Sequence, residues 1–221
     1  MKKIIITVRH GKSLKNLKSI NGGKGADILN EGVHQVLDIA RTIHKMLEEL
    51  ERPVKLSIYK SCERAQVHQT AYILSKILGI NEIKTHKDYA PIRLGAFDGM
   101  TDEEQKKYYP EQQKAIELWV KGEGDIRASE YGVPGLQTSK DYTQQIHRFL
   151  SDIEKNDDAE VVILVGTRSD MSGLQNVLTG HNPDNGDYKY YPHGYAQATM
   201  YYDGEMFSIT NGNKPVFPEK S

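Results

Sequence analysis

Short apolar runs separated by longer stretches of helical spacing constrain this chain more than any other feature. KIIITV (3–8), VKLSIY (54–59), EIKTH (82–86) and AEVVILVG (159–166) have the brevity and β-branched content of buried strands. NEGVHQVLDIARTIHKMLEEL (30–50) instead places Val33, Val36, Leu37, Ala40, Ile43, Leu47 and Leu50 on one helical face, and Pro53 stops the pattern. ERAQVHQTAYILSKILG (63–79), ended by Gly79, and SKDYTQQIHRFLSDIEK (139–155) read as further helices, as does about Ser169 to Leu178. GYAQATMYYDGEMFSITNG (194–212) reads as two strands joined at Asp203-Gly204, a hairpin turn pair. Such alternation predicts an α/β fold with a mostly parallel central sheet and helices on both faces.

Residues 87–138 are less regular. A polar helix is expected from about Asp102 and a second short one around Ile116–Val120, before a Gly-rich loop ending in GVPGLQTS. The segment has too few apolar residues for a core of its own. It is therefore expected to be a partly helical insertion lying over the sheet of one domain spanning 1–221. The tail NKPVFPEKS is expected to be loosely held.

The formal net charge of -1 gives no global pull toward nucleic acid or an anionic membrane, so any anion affinity must come from a local cationic cluster. Cys62 is the one cysteine, which suits a reducing compartment. The apolar stretch Ile4 to Val8 is too short for the core of a signal peptide, and a soluble cytoplasmic protein is expected.

Ligands of open parallel sheets sit beyond the carboxyl ends of the strands. Three such ends should meet here: Arg9-His10-Gly11, Ser61 to Arg64, and Thr167-Arg168-Ser169. His10 has no second metal ligand near it in sequence, and Arg9 and Lys12 would repel a cation. An anion fits better. Gly11 permits close backbone approach, and Ser13 and Asn16 can donate hydrogen bonds. Arg64, between a strand and a helix, can grip phosphate in a bidentate way, or it can pair with Glu63 or Glu82.

Taken together these residues resemble a known family. VRHGKSLKN is similar to the Arg-His-Gly signature of the histidine phosphatase superfamily, the phosphoglycerate mutase-like proteins. LNEGVHQVLDIA, SCERAQVHQTAYILSKILG, LGAFDGMT, VVILVGTRSDMSGLQNVLTG and PHGYAQATMYYDG resemble later motifs of that family, in the same order and across nearly the whole chain. The resemblance implies a three-layer αβα fold with His10 as the nucleophile that becomes phosphohistidine. Arg9 and Arg64 would bind the phosphoryl oxygens, with Asn16 and Ser13 steadying them, and no metal or organic cofactor would be needed. The partner would be a small phosphorylated molecule, with a homodimer left open.

Three departures from the family pattern stand out. Thr167 stands where a second catalytic histidine is usual, and Pro91 where a general-acid glutamate is usual. Thr70 follows Arg64 by six residues rather than four. The first two fall on the leaving-group half of the reaction, where Asp88, Asp98, Arg168, Thr167 and His193 are the candidate substitutes. The expected activity is hydrolysis of a small or aromatic phosphoester. The alternatives are a degenerate protein that holds a phosphorylated ligand, or other chemistry on the same scaffold. The Tyr-rich stretches YKYYP and KYYPEQQ suit packing as well as stacking on a substrate. His34, His44, His68 and His147 fall on helices without metal-ligand spacing.

Overall fold

The computed structural model of the protein describes residues 3–18, 22–50 and 52–210, so the expected loose tail lies outside the described residues. In chain order the elements are β1 (Ile4–Arg9), α1 (Asn30–Glu48), β2 (Leu56–Lys60), α2 (Ala65–Ile77), β3 (Ile83–Lys84), α3 (Asp102–Tyr108), α4 (Pro110–Val120), α5 (Ser139–Asn156), β4 (Val161–Gly166), α6 (Arg168–Leu178), β5 (Ala198–Tyr202) and β6 (Glu205–Ile209). The strands form one sheet in the order β3-β2-β4-β1-β5-β6. β1, β2, β3 and β4 are parallel to their neighbours in this group, and β5 runs antiparallel to both β1 and β6.

The pleat sorts side chains to two faces. Ile6, Val8, Ile58, Val161, Ile163 and Val165 pack with Val36, Ala40 and Ile43 of α1 and Val67, Ala71 and Leu74 of α2. Ile5, Tyr59, Val162 and Leu164 pack on the opposite face with Ile146, Phe149 and Ile153 of α5 and Met171 and Leu174 of α6. The result is a three-layer αβα fold, as the alternation of elements requires. Every residue of β4 is buried, because helices cover the strand on both faces.

Register places the expected strand ends together. Arg9 lies opposite Gly166, and Lys60 opposite Val165, so the chain leaves β1, β2 and β4 at one edge of the sheet. The loop after β1 turns tightly onto α1. A Cβ on Gly11 would lie 2.6 Å from the Gly32 carbonyl oxygen, and one on Gly32 only 2.2 Å from the Lys12 carbonyl oxygen. Both positions need glycine for close approach.

Between β3 and α5, α3 is held by a capping box: Thr101 Oγ1 accepts from the Glu104 amide at 3.2 Å, and Glu104 Oε2 accepts from the Thr101 amide at 2.8 Å. α4 begins at Pro110, six residues before the expected start, because proline at the first helical position needs no amide partner and presets φ. β3 is shorter than its sequence suggested, with two paired residues. Asp203 and Gly204 take φ of 50° and 83°, the two positive values that the tight hairpin between β5 and β6 demands. Among the described residues no helix is long and apolar enough to cross a membrane.

Candidate active site

A cavity of about 390 Å³ opens where β1, β2 and β4 end. Arg9, His10, Lys15, Asn16, Arg64, Thr167 and Arg168 line it, with Pro91, Ile92, Leu94, Asp102 and Trp119 contributed by the segment between β3 and α5. Six of the residues expected from sequence are thereby brought together: Arg9, His10, Asn16, Arg64, Thr167 and Arg168.

His10 is buried, and its Nδ1 lies 2.8 Å from the Gly11 carbonyl oxygen. A carbonyl only accepts, so Nδ1 carries the proton and Nε2 keeps its lone pair. Burial pushes the imidazole pKa down to about 4, against the pull of the Gly11 carbonyl, and Arg9, Arg64 and Lys15 lower it further. The ring is therefore a neutral base with one nitrogen held and the other free.

Arg9 is itself buried, and burial lowers its pKa, with Tyr195 favouring the charge and Arg168 opposing it. One Nη donates to the carbonyl of His193, and the guanidinium lies 4.2 Å from the Tyr195 ring centroid, a cation–π arrangement. Its Nε is buried without a partner among the described residues. Arg64 caps the start of α2, and the alternative pairing with Glu63 or Glu82 does not occur: Glu63 instead pairs with Lys60 at 2.6 Å. Arg64, Lys15 and Arg168 form no ion pair among the described residues. Burial, then Arg64, lowers the Lys15 pKa, while Asp98 opposes the shift. Asn16 Oδ1 accepts from the Ser13 amide at 3.0 Å and the Ser13 hydroxyl at 2.8 Å, leaving its Nδ2 without a partner among the described residues.

Thr167 and Arg168 are set by the start of α6. Buried Asp170 takes four donors: the Thr167 amide at 2.6 Å, the Thr167 hydroxyl at 2.9 Å, Ser61 at 2.7 Å and Tyr142 at 3.0 Å. Burial raises its carboxyl pKa, and these hydrogen bonds pull against that. Arg168 reaches 6.0 Å from the Tyr190 ring centroid.

Five expected candidates, Gly11, Ser13, Asp88, Asp98 and His193, lie outside the cavity lining. The Gly11 amide donates to Thr70 Oγ1 at 3.1 Å and so is committed to joining the loop to α2. The same bond accounts for Thr70, which also donates to the Gln66 carbonyl at 2.7 Å. Ser13 spends its hydroxyl on Asn16. Asp98 accepts from the Gly23 amide at 2.6 Å, pinning the loop after β1. His193 offers its carbonyl to Arg9, while its ring is buried away from the cavity with Nε2 unpartnered and a pKa pushed down by burial, then by Arg9, to about 4. Asp88 is held by Arg148 at 3.0 Å.

Lys15, Asp102, Trp119, Tyr190 and Tyr195 line the cavity without having been expected there. Lys15 follows the Arg-His-Gly motif by a few residues, and Tyr195 follows PHG, so proximity to a motif was an available signal for both. Tyr190 lies in the Tyr-rich YKYYP stretch. Asp102 and Trp119 arrive through tertiary packing alone.

Residues 5–207 match the family model described as the histidine phosphatase superfamily (branch 1), and the chain belongs to that superfamily. Among solved structures, the α-ribazole phosphatase of Shigella flexneri superposes with a TM-score of 0.67 at 13% identity, covering 98% of this chain and 100% of that one. A mycobacterial glucosyl-3-phosphoglycerate phosphatase in complex with VO3 gives a TM-score of 0.67 at 17% identity, over 90% and 92% of the two chains. At these identities the likeness is one of fold. No curated protein matches by sequence.

Proposed function

We propose that the protein hydrolyses a small or aromatic phosphomonoester through a phosphohistidine at His10. The observation that carries this reading is one cavity lined by His10, neutral with Nδ1 tied to the Gly11 carbonyl, together with Arg9 and with Arg64 and Lys15, which form no ion pair among the described residues. Such a set is suited to phosphoryl transfer, which depends chiefly on positioning and electrostatic stabilisation. His10 Nε2 attacks phosphorus, the N–P bond forms, and the ester P–O bond breaks with its electron pair leaving on oxygen. As the ring becomes cationic, its Nδ1–H bond to the carbonyl strengthens. Water then attacks phosphorus, the N–P bond breaks, and inorganic phosphate leaves His10 as it began.

The leaving oxygen needs a proton unless it departs as a stable anion. Thr167 donates its hydroxyl to Asp170 and so has no free proton to give. Asp102 is the carboxylate among the cavity's lining residues, and the reading assigns it the proton transfers. The commitment of Thr167 also favours a second reading, a protein that holds a phosphorylated ligand without turnover.

p-Nitrophenyl phosphate separates the two, because its leaving group needs little protonation. Turnover with a base-stable, acid-labile phosphoenzyme that disappears in His10→Ala supports the enzyme. Vanadate binding that depends on Arg9 and Arg64, without turnover above His10→Ala, supports the holder.

A further inference from the structure

Next to the anion cavity lies a second cavity of about 190 Å³, its surface almost wholly carbon. Phe97, Ile116, Ile126 and Leu136 line it, none of which touches the first cavity, while Ile92, Leu94, Trp119, Ser169 and Ser172 line both. We propose that this apolar cavity takes the organic part of the substrate, and that the substrate class is a phosphomonoester whose alcohol carries a single aromatic ring. The proposal rests on the phosphatase reading of the neighbouring site and adds the identity of the group that leaves.

Size is the first argument. A cavity of about 150 Å³ walled by aliphatic and aromatic side chains stays dry and holds one benzene ring. The volume here matches one ring and its linking atom. Chemistry is the second. A sugar or a polyol would bring several hydroxyls to walls whose exposed surface is nearly all carbon, and most of them would be left unpaired.

The third argument is the wall shared with the anion cavity. Trp119 is fixed there by its Nε1–H bond to the Tyr188 carbonyl at 2.7 Å, and its ring meets Tyr190 edge-on at 5.4 Å. A phosphoryl group among Arg9, His10 and Arg64 would have its ester substituent within reach of this shared wall of Trp119, Ile92 and Leu94. Binding sites of this kind are mostly apolar with a few polar groups that orient the ligand. Ser139 and Ser172 meet that description: both line the apolar cavity, both are more than nine-tenths buried, and neither hydroxyl has a partner among the described residues. Two unpartnered buried hydroxyls suit a ring with a hydrogen-bonding substituent better than bare benzene.

The test compares ligands that share a phosphorus headgroup and differ in the ring. Calorimetry would measure benzylphosphonate and methylphosphonate, neither of which can be hydrolysed at a P–O ester bond. Burying a ring predicts that benzylphosphonate binds roughly 10- to 100-fold more tightly. Kinetics would compare benzyl phosphate with ethyl phosphate, both esters of ordinary alcohols, and kcat/KM is expected to favour benzyl by a similar factor, mostly through KM. Ile116→Trp fills the apolar cavity without touching the anion cavity. It should bring the benzyl-to-methyl affinity ratio and the benzyl-to-ethyl kcat/KM ratio close to one while leaving vanadate affinity unchanged. Equal affinity for the two phosphonates in the unmodified protein overturns the proposal, with or without turnover. A ring preference that survives Ile116→Trp in a variant that still binds vanadate also overturns it. A phosphonate ring preference without any phosphatase activity leaves the subsite standing and removes the phosphatase reading instead.

Discussion

At the scale of single residues the site turns on which protonation state each buried group keeps. His10 has its pKa pushed to about 4 by burial, whereas an exposed or unfolded histidine titrates near ~6.5. Long-range ¹⁵N NMR should show His10 neutral, as the Nδ1–H tautomer, from pH 8 down to about pH 5; a midpoint near 6.5 would sink this assignment. The same shift has a consequence for stability. Between pH 6.5 and 4 the unfolded chain binds a proton at His10 that the folded chain does not. Stability from this residue is thus fully present above the unfolded value and falls as pH drops through the window. His193, also near 4, acts in the same direction, and Asp170, whose pKa is raised, acts against it. Comparison of pH–melting curves for the unmodified protein and His10→Gln isolates the one term, with the variant expected to lose less stability over that window. Asp102 is tested by leaving-group dependence. Asp102→Asn should slow an alkyl phosphate by about 10²–10⁴-fold, the usual worth of general acid catalysis, and p-nitrophenyl phosphate far less. Equal slowing of both would remove Asp102 from proton transfer.

At the scale of elements, two contacts aim these side chains. The loop after β1 reaches α1 only because Gly11 and Gly32 both lack a Cβ. Gly11→Ala would press a methyl to 2.6 Å from a backbone oxygen, and strain of this kind costs about 1–3 kcal/mol. Chemical denaturation should register that loss, whereas Gly194→Ala, whose Cβ would sit at an ordinary 3.5 Å from Gln197, should be close to neutral. Asp170 performs the matching task for β4 and α6. Asp170→Asn would put an amide NH₂, which cannot accept, in place of a carboxylate oxygen that takes buried donors, at a cost of about 2–3 kcal/mol. It should also displace Arg168, to be read as weaker phosphate binding. Elements of this kind were legible in the sequence because their signals are local: β-branched runs for β1 and β4, apolar spacing for α1 and α5, and Asp-Gly for the hairpin. The cationic strand ends were legible too, since order along the chain and the rule for open sheets place them together. Local pattern could not say which polar atoms were already taken. Gly11, Ser13, Asp98 and His193 read as site residues, and each spends its amide, hydroxyl, carboxylate or carbonyl holding another residue. Trp119 and Asp102 were silent for the converse reason, reaching the cavity through the path of α3 and α4.

At the scale of the whole molecule, a chain of net charge -1 gathers Arg9, Lys15, Arg64 and Arg168 at one sheet edge, with Asp102 the carboxylate on the same cavity wall. Packing these like charges together without an anion opposes folding, so the protein should be measurably tighter when an anion fills the cavity. At an anion concentration about 100 times Kd, linkage predicts about 2.7 kcal/mol of added stability. For a chain of this length that is a rise in Tm of roughly 5–10 °C. Differential scanning fluorimetry with vanadate, and separately with phosphate, is the measurement. Arg64→Ala should abolish most of the rise, because that side chain has no ion pair among the described residues and an anion is its natural counter-charge. The variant should lose no stability of its own without ligand, since relieving the repulsion offsets what packing it gives up. A rise of the same size in Arg64→Ala and in Arg9→Ala would put the anion somewhere other than the ends of β1 and β2, and the phosphoryl site with it.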